Sequence, residues 1–266
     1  MRKDNGYVAE GDGGNSPKAF AILIKLHARS CQIAEEIVCL LSNGFADGAM
    51  ARWRTLHEVA AVGYLIQRHG DELAERYEHH QIVESRKAAI QYQQHQKRLR
   101  QRPFSKRTLR KIETDRASVL ATYGPDFANR QGWAAKHLGK RNPSIADIQE
   151  ATGIDHLAPY YRMASHNVHA NPKGGFFNLG RIGKTNTLLA GPSNAGLADP
   201  GHATALSLVQ MSSLLLKFDP TLDNQIAMKV MNALVDEIGA ALLKAHKKLK
   251  ADEKVFSENE RRTNMR

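Results

Sequence analysis

Cysteine is scarce in this sequence: Cys31 and Cys39 are the only two among 266 residues. Two cysteines cannot provide a disulfide scaffold for a chain of this length. Both fall on one predicted helix, where their spacing places them about 12 Å apart along the axis. That separation excludes an intrachain disulfide between them. We therefore expect a protein of a reducing compartment.

Long apolar runs are also missing. The longest run near the start covers residues 19–24, whereas a membrane span requires roughly 20 apolar residues. Residues 1–15 are rich in glycine and aspartate and contain no apolar stretch of the signal-peptide type. We expect a soluble, cytoplasmic protein with no membrane partner.

Basic residues exceed acidic ones, with 38 Lys and Arg against 27 Asp and Glu and a formal net charge of +11. Residues 97–111 contain eight basic residues and no acidic one. A patch this concentrated favours contact with phosphates and predicts RNA or another polyanion as a partner. A solvated helix face would have the same composition, so that alternative stays open. The candidate nucleic-acid-binding residues are Arg98, Arg102, Arg107 and Arg110.

Apolar residues recur with helical spacing along most of the chain, which predicts an all-α, multi-helix bundle. We expect one domain over residues 16–250, between a flexible tail (1–15) and a charged tail (251–266). Residues 173–200 contain six glycines and two prolines, which predict a Gly-rich loop or a short β-hairpin insertion. The predicted helices cover approximately residues 17–43, 47–69, 71–102, 105–122, 144–152, 159–172, 201–217 and 222–250.

The sequence contains neither a complete phosphate-binding loop nor a metal-binding motif. Gly183-Lys184-Thr185 resembles the end of a phosphate-binding P-loop, but Asn178 stands where that motif requires glycine. The cysteines do not form a C-x-x-C pair, and the two histidines at 79–80 lie on a polar helix. We predict no metal site and no cofactor.

The second predicted helix is apolar on nearly all sides, which is typical of a buried helix. It nevertheless includes Arg54 and Glu58, four residues apart on one stripe. Buried charges need partners, because leaving one unpaired costs several kcal/mol. The two residues therefore form either an ion pair that fixes helix packing or part of a site. In a site, Arg54 would bind an anion and Glu58 would orient a base.

The segment Tyr160 to His169 contains a second candidate site. Its residues Arg162, His166 and His169 are spaced i, i+4 and i+7, so a continuous helix would place them on one face. Two imidazoles beside a guanidinium suit phosphodiester cleavage: one accepts the ribose 2′-hydroxyl proton, the other protonates the leaving oxygen, and the arginine stabilises charge on phosphorus. The alternative is a polar seam in which the histidines bond to neighbouring helices. Two residues flank this face: Tyr161 and Ser165.

Residues 51–60 (ARWRTLHEVA), 131–133 (QGW) and 161–169 (YRMASHNVH) together resemble a bacterial family, the domain of unknown function fifty-six seventy-seven. The similarity spans most of residues 16–250. Members share Arg-x-x-x-Glu on an early helix and a later Tyr-x-x-x-Ser-x-x-x-His. The matching residues in this chain are Arg54, Glu58, Tyr161, Ser165 and His169. The resemblance implies no activity.

The chain is also similar, more loosely, to the HEPN superfamily of all-helical ribonucleases and their inactive relatives. The superfamily motif is an arginine, four to six residues and a histidine, matched here by Arg162 and His169. This resemblance implies metal-independent RNA cleavage at a composite site between two protomers, hence a homodimer, often in toxin or antiphage systems. Two functional hypotheses follow: a HEPN-like ribonuclease, or a noncatalytic nucleic-acid-binding or regulatory module.

Overall fold

The computed structural model describes residues 16–169, 172–181 and 188–264. Over these residues the chain forms nine α-helices and no β-strand, and it is 80% helical. The all-α, multi-helix prediction is confirmed. The helices are α1 (Pro17–Ser42), α2 (Ala46–His95), α3 (Lys106–Tyr123), α4 (Ala135–Leu138), α5 (Ile145–Thr152), α6 (Ala158–Val168), α7 (Pro172–Phe176), α8 (Ala198–Leu216) and α9 (Leu222–Asn264).

Several helix boundaries follow from local sequence signals. Gly70 interrupts α2 with φ 66° and ψ −150°, a left-handed φ that glycine tolerates best. This is where the sequence predicts the break between two helices. Ser105 caps α3 by accepting a 3.0 Å hydrogen bond from the backbone N–H of Thr108. Ser144 begins α5 with a reciprocal capping box to Asp147.

The segment predicted as a Gly-rich loop or β-hairpin begins instead with the short helix α7. Its described remainder, residues 177–181 and 188–197, contains no strand, so the hairpin has no support there. Besides local turn bonds, such as Arg181 N–H to the Asn178 carbonyl at 3.3 Å, the backbone of this segment bonds to distant residues. Ser193 N–H donates to the Gly44 carbonyl at 2.9 Å, and Leu179 N–H donates to the Asp47 carboxylate at 3.0 Å.

Some predicted segments lie wholly or partly outside the described residues, and one differs from its prediction. The tail predicted over residues 1–15 lies outside the described residues, as do residues 182–187 of the predicted insertion. At the other end, α9 continues to Asn264, so residues 251–264 are helical where the sequence predicts a charged tail.

The chain divides into two compact units, and the single domain predicted over residues 16–250 spans both. The first unit comprises residues up to Ile22 and Leu65–Gly153. Its core contains the buried Arg76, whose Nε donates to the Trp133 carbonyl at 2.9 Å. The guanidinium lies over the rings of Tyr123 and Phe127, so both its charge and its donors have partners in the interior.

The second unit comprises Leu23–Tyr64 and Ile154–Arg266. Trp53 on α2 is fully buried in its core, and the indole N–H donates to the Ala203 carbonyl (2.9 Å) and to Ser207 Oγ (3.0 Å) on α8. The α8 helix approaches α2 closely at Gly63, where an added Cβ would lie 2.7 Å from Met211 Sδ. The buried residues of this core are Ile33, Ile37, Ala49, Met50, Trp53, Leu56, Leu157, Ala164 and Ala203.

Candidate functional site

Arg54 and Glu58 form an ion pair one turn apart on α2, with 3.0 Å between Arg54 Nη2 and Glu58 Oε1. Tyr161 on α6 joins the two. Its hydroxyl accepts a 2.6 Å hydrogen bond from Arg54 Nη2 and donates a 2.5 Å hydrogen bond to Glu58 Oε1. The Arg54 guanidinium also lies 4.6 Å from the centre of the Tyr161 ring. We call these three residues the Arg–Tyr–Glu cluster.

The cluster is partly open to solvent, although the helix that carries it is largely buried. The Arg54 and Glu58 side chains are 20% and 32% exposed, which is less burial than the sequence predicts for the pair. Burial of the Tyr161 hydroxyl and its hydrogen bond to Glu58 raise the pKa of Tyr161 to about 12. Because the Glu58 carboxylate offsets the Arg54 charge, the cluster has little attraction for an anion. This charge balance favours a packing role for the Arg54–Glu58 pair over a role in a ligand-binding site. The packing role stays a prediction.

Ser165, which the sequence also places beside this group, does not join it. The Ser165 hydroxyl donates to the backbone carbonyl of Tyr161 at 2.9 Å. This i to i−4 bond is an ordinary local bond of a helical serine. Of the four residues predicted to line a site or form a structural pair, the structure brings three together.

His57 lies between the two charged residues in sequence but points into the core, and it is not among the residues that the sequence predicts for a site. Its ring is fully buried, stacked on Trp53 with centroids 5.2 Å apart, and 5.9 Å from the Tyr161 ring. Neither ring nitrogen has a hydrogen-bond partner within the described residues. Burial, with a smaller contribution from the charge of His156, lowers the pKa of His57 to about 4, so the ring is neutral at pH 7. The sequence feature that could have indicated its burial is its position four residues after Trp53, on the same face of the helix.

The second candidate site lies on α6 and at its C-terminal end. Arg162 is exposed on α6, and His166 is half-buried on the same helix. The helix ends at Val168, and His169 has extended backbone angles (φ −109°, ψ 137°). His169 is the C-cap of α6, and its N–H still donates to the Ser165 carbonyl at 3.2 Å as in a helix. That the three residues share one face therefore stays a prediction. Arg162 and His169 are both exposed and are accessible to a ligand from solvent.

Residues 97–111, which we call the basic segment, join α2 to α3 and continue into the first turns of α3. All four predicted nucleic-acid-binding arginines are exposed: Arg98, Arg102, Arg107 and Arg110. Of the eight basic side chains, Lys111 forms an ion pair, 2.6 Å from Asp115. No acidic partner within the described residues pairs with the other seven. The segment therefore presents a dense, uncompensated positive surface.

The described residues contain no group of three or more His, Cys, Asp or Glu side chains placed to hold a metal ion. Cys31 and Cys39 are free and exposed. No helix in the described part of the chain combines the length and the apolar character needed to cross a membrane.

Comparison with known proteins adds one finding. A family model described as "Family of unknown function (DUF5677)" matches residues 20–182, more than half of the chain. Neither the curated proteins nor the solved structures contain a match to this chain.

Proposed function

The chain belongs to the DUF5677 family of unknown function, and we propose that it binds nucleic acid through the basic segment without catalysing a reaction. The observation that supports this proposal is the seven exposed cations of residues 97–111 that lack an acidic partner within the described residues. A cytoplasmic location, which the scarcity of cysteine predicts, is part of this proposal.

Phosphate contact is the physical reason for the choice. Cations already paired with carboxylates gain little from a phosphate, because the carboxylate must first be displaced and rehydrated. Unpaired cations replace condensed counterions on the nucleic acid directly, and the release of those counterions drives binding. The basic segment therefore suits a polyanion better than does an ion-paired helix surface of the same composition.

The α9 helix supplies a matched control. Its lysine cluster is exposed and carries the same four positive charges as the four candidate arginines: Lys244, Lys247, Lys248 and Lys250. We would measure binding of a labelled oligonucleotide by fluorescence anisotropy for the wild type and for two quadruple variants. In one variant the four arginines are replaced by Gln, and in the other the four lysines.

Loss of binding in the arginine variant alone would support the basic segment as the interface. An equal loss in both variants would instead attribute binding to net charge and would overturn the proposal. Circular dichroism verifies that both variants keep the helical content of the wild type.

A HEPN-like ribonuclease is a second candidate, supported by the exposure of Arg162 and His169. In the proposed reaction one of His166 and His169 accepts the proton of a ribose 2′-hydroxyl as that oxygen attacks phosphorus. The other histidine protonates the 5′-oxygen as the phosphorus–oxygen bond breaks, leaving a 2′,3′-cyclic phosphate and a 5′-hydroxyl. Arg162 stabilises the extra charge on the phosphoryl oxygens. A toxin or antiphage role would follow from this activity.

The ribonuclease candidate implies a composite site between two copies of the chain. An exposed apolar ridge on α9 supports such a pairing, because residues four apart form a row that can pack against the same row of a second copy. The ridge consists of Leu222, Ile226, Val230, Leu234 and Ile238. We expect Leu234→Glu to lower the molar mass measured by sedimentation equilibrium to that of a monomer. Asn232→Glu, at an exposed polar position of the same helix, should leave this mass unchanged.

Incubation with total RNA in the presence of EDTA tests the ribonuclease candidate. Cleavage by the wild type that is lost in His169→Ala, with RNA binding retained, would support it. Intact RNA, or equal cleavage by the two proteins, would contradict it and leave noncatalytic binding.

A further inference from the structure

A pair of aromatic rings lies at the basic segment. Phe104 belongs to the basic segment and lies 4.7 Å, centre to centre, from the ring of Tyr92 at the end of α2. Despite this contact, Phe104 is 37% exposed, and nearby Leu99 is 57% exposed. Both apolar side chains are thus open to solvent among cations without acidic partners.

The backbone holds these side chains in place. The Tyr92 hydroxyl donates to the Arg102 carbonyl at 2.8 Å. The Phe104 N–H donates to the Gln93 side chain at 3.0 Å. Gln101 N–H donates to the Gln96 carbonyl at 2.9 Å. Because residues 102 and 104 bond to α2 and the Phe104 ring contacts Tyr92, this ring has a defined position before any ligand binds, which reduces the entropy lost on binding.

We propose that the basic segment is specific for single-stranded nucleic acid, with Phe104 serving as a platform on which an unpaired base stacks. This inference rests on the proposed nucleic-acid binding and narrows its ligand class. Proteins that bind single strands combine a cationic track for the backbone with exposed aromatic rings for the bases. A duplex keeps its base faces inside the helix, so an exposed phenylalanine gains little from it.

The neighbouring cations fit this arrangement. Arg98, Arg102 and Lys106 flank the connection on both sides of Phe104 in sequence, and all three are exposed. A strand whose base rests on Phe104 would have its phosphates within reach of these long side chains. Leu99 would supply further apolar contact to a base or a sugar.

The test compares three probes by fluorescence anisotropy: a poly-uridine oligomer, a duplex of equal length and inorganic polyphosphate. Phe104→Leu keeps an apolar side chain against Tyr92 but removes the aromatic face. We expect it to weaken binding of the oligomer about fivefold or more, since stacking contributes about 1 kcal/mol or more per base. Binding of polyphosphate should remain unchanged. Phe45→Leu, at a phenylalanine of similar exposure in the other unit, is the matched control and should bind all three probes like the wild type.

A second variant gives a readout that does not depend on affinity. Phe104→Trp introduces an exposed indole, whereas both native tryptophans are buried. Stacking predicts that poly-uridine quenches its emission and that polyphosphate does not.

The outcomes separate the two proposals. If none of the three probes binds, the proposed function fails. If all three bind but Phe104→Leu weakens none of them, or if the duplex binds as tightly as the oligomer, nucleic-acid or polyanion binding stands and the single-strand inference fails.

Discussion

The Tyr161 hydroxyl donates a 2.5 Å hydrogen bond to Glu58 Oε1, although the two residues are 103 positions apart in the sequence. The same hydroxyl accepts from Arg54, so one phenol oxygen connects both members of an i, i+4 ion pair to another helix. The contact ties α6 to α2 within the second unit.

The first prediction concerns this hydroxyl. Tyr161→Phe should lower the free energy of unfolding by about 1–2 kcal/mol, because it removes two hydrogen bonds to charged groups that are partly screened by solvent. Combined with Glu58→Gln in a double-mutant cycle, it should give a coupling energy of about 1 kcal/mol, measured by urea denaturation. If the two substitutions change the free energy of unfolding strictly additively, the Tyr161–Glu58 hydrogen bond is contradicted. Glu58→Gln should also bring the pKa of Tyr161 down toward its usual value, as measured by tyrosinate absorbance.

A second prediction separates the packing role of Arg54 and Glu58 from a role in ligand binding. Glu58→Leu leaves the Arg54 charge without its carboxylate and should cost about 2 kcal/mol, below the range for a fully buried pair because both side chains are partly exposed. Adding Arg54→Met should recover part of that loss in thermal melts. If the double variant is instead less stable than Glu58→Leu alone, the pair is not a packing element.

The third prediction is a pH dependence caused by His57. Its pKa in the folded protein, about 4, lies below the ordinary value of 6.5. Between these values the unfolded chain binds more protons than the folded one, so stability is full above pH 6.5 and decreases as the pH falls toward 4. The total loss from this residue is about 3 kcal/mol.

His57→Phe keeps an aromatic ring against Trp53 and removes the titrating group, so its unfolding free energy should decrease less steeply over this range. Urea denaturation at several pH values between 4 and 7 measures the difference. Parallel curves for the wild type and the variant would show that His57 is protonated equally in both states.

The fourth prediction is the salt dependence of nucleic-acid binding. Each phosphate contact with a single strand contributes about 0.7 to the slope of log K against log salt concentration. Replacing all four arginines of the basic segment by Gln should therefore reduce the slope by about 3 if each contacts one phosphate. An unchanged slope would identify the segment as a solvated surface.

A fifth prediction explains one element of the family resemblance, the Gln131-Gly132-Trp133 sequence. A Cβ on Gly132 would lie 2.4 Å from the Phe127 carbonyl oxygen, and neither backbone can yield easily. Gly132→Ala should destabilise the protein by about 2–4 kcal/mol, a cost in the upper range for point substitutions. Gly191→Ala, where no atom lies within 4 Å of an added Cβ, should change the melting temperature little.

The sequence by itself determined most of the long helices, because apolar spacing, caps and breakers act within one or two helical turns. It did not predict the short helices α4 and α7 or the extension of α9 to Asn264. Gly70 and Ser105 are examples, since each boundary there depends on one residue's backbone preference or capping side chain. The Arg54–Glu58 pair was equally predictable, because residues four apart on a helix are neighbours whatever the tertiary structure.

Tertiary structure alone decided what these elements bond to. It brought Tyr161 to the ion pair and turned His57 into the core. It also bonded residues 179 and 193 to Asp47 and Gly44. Each outcome depends on residues far apart in the chain, whose encounter is set by how the helices pack. Local periodicity carries no information about that packing, because one apolar face can be buried against many different partners.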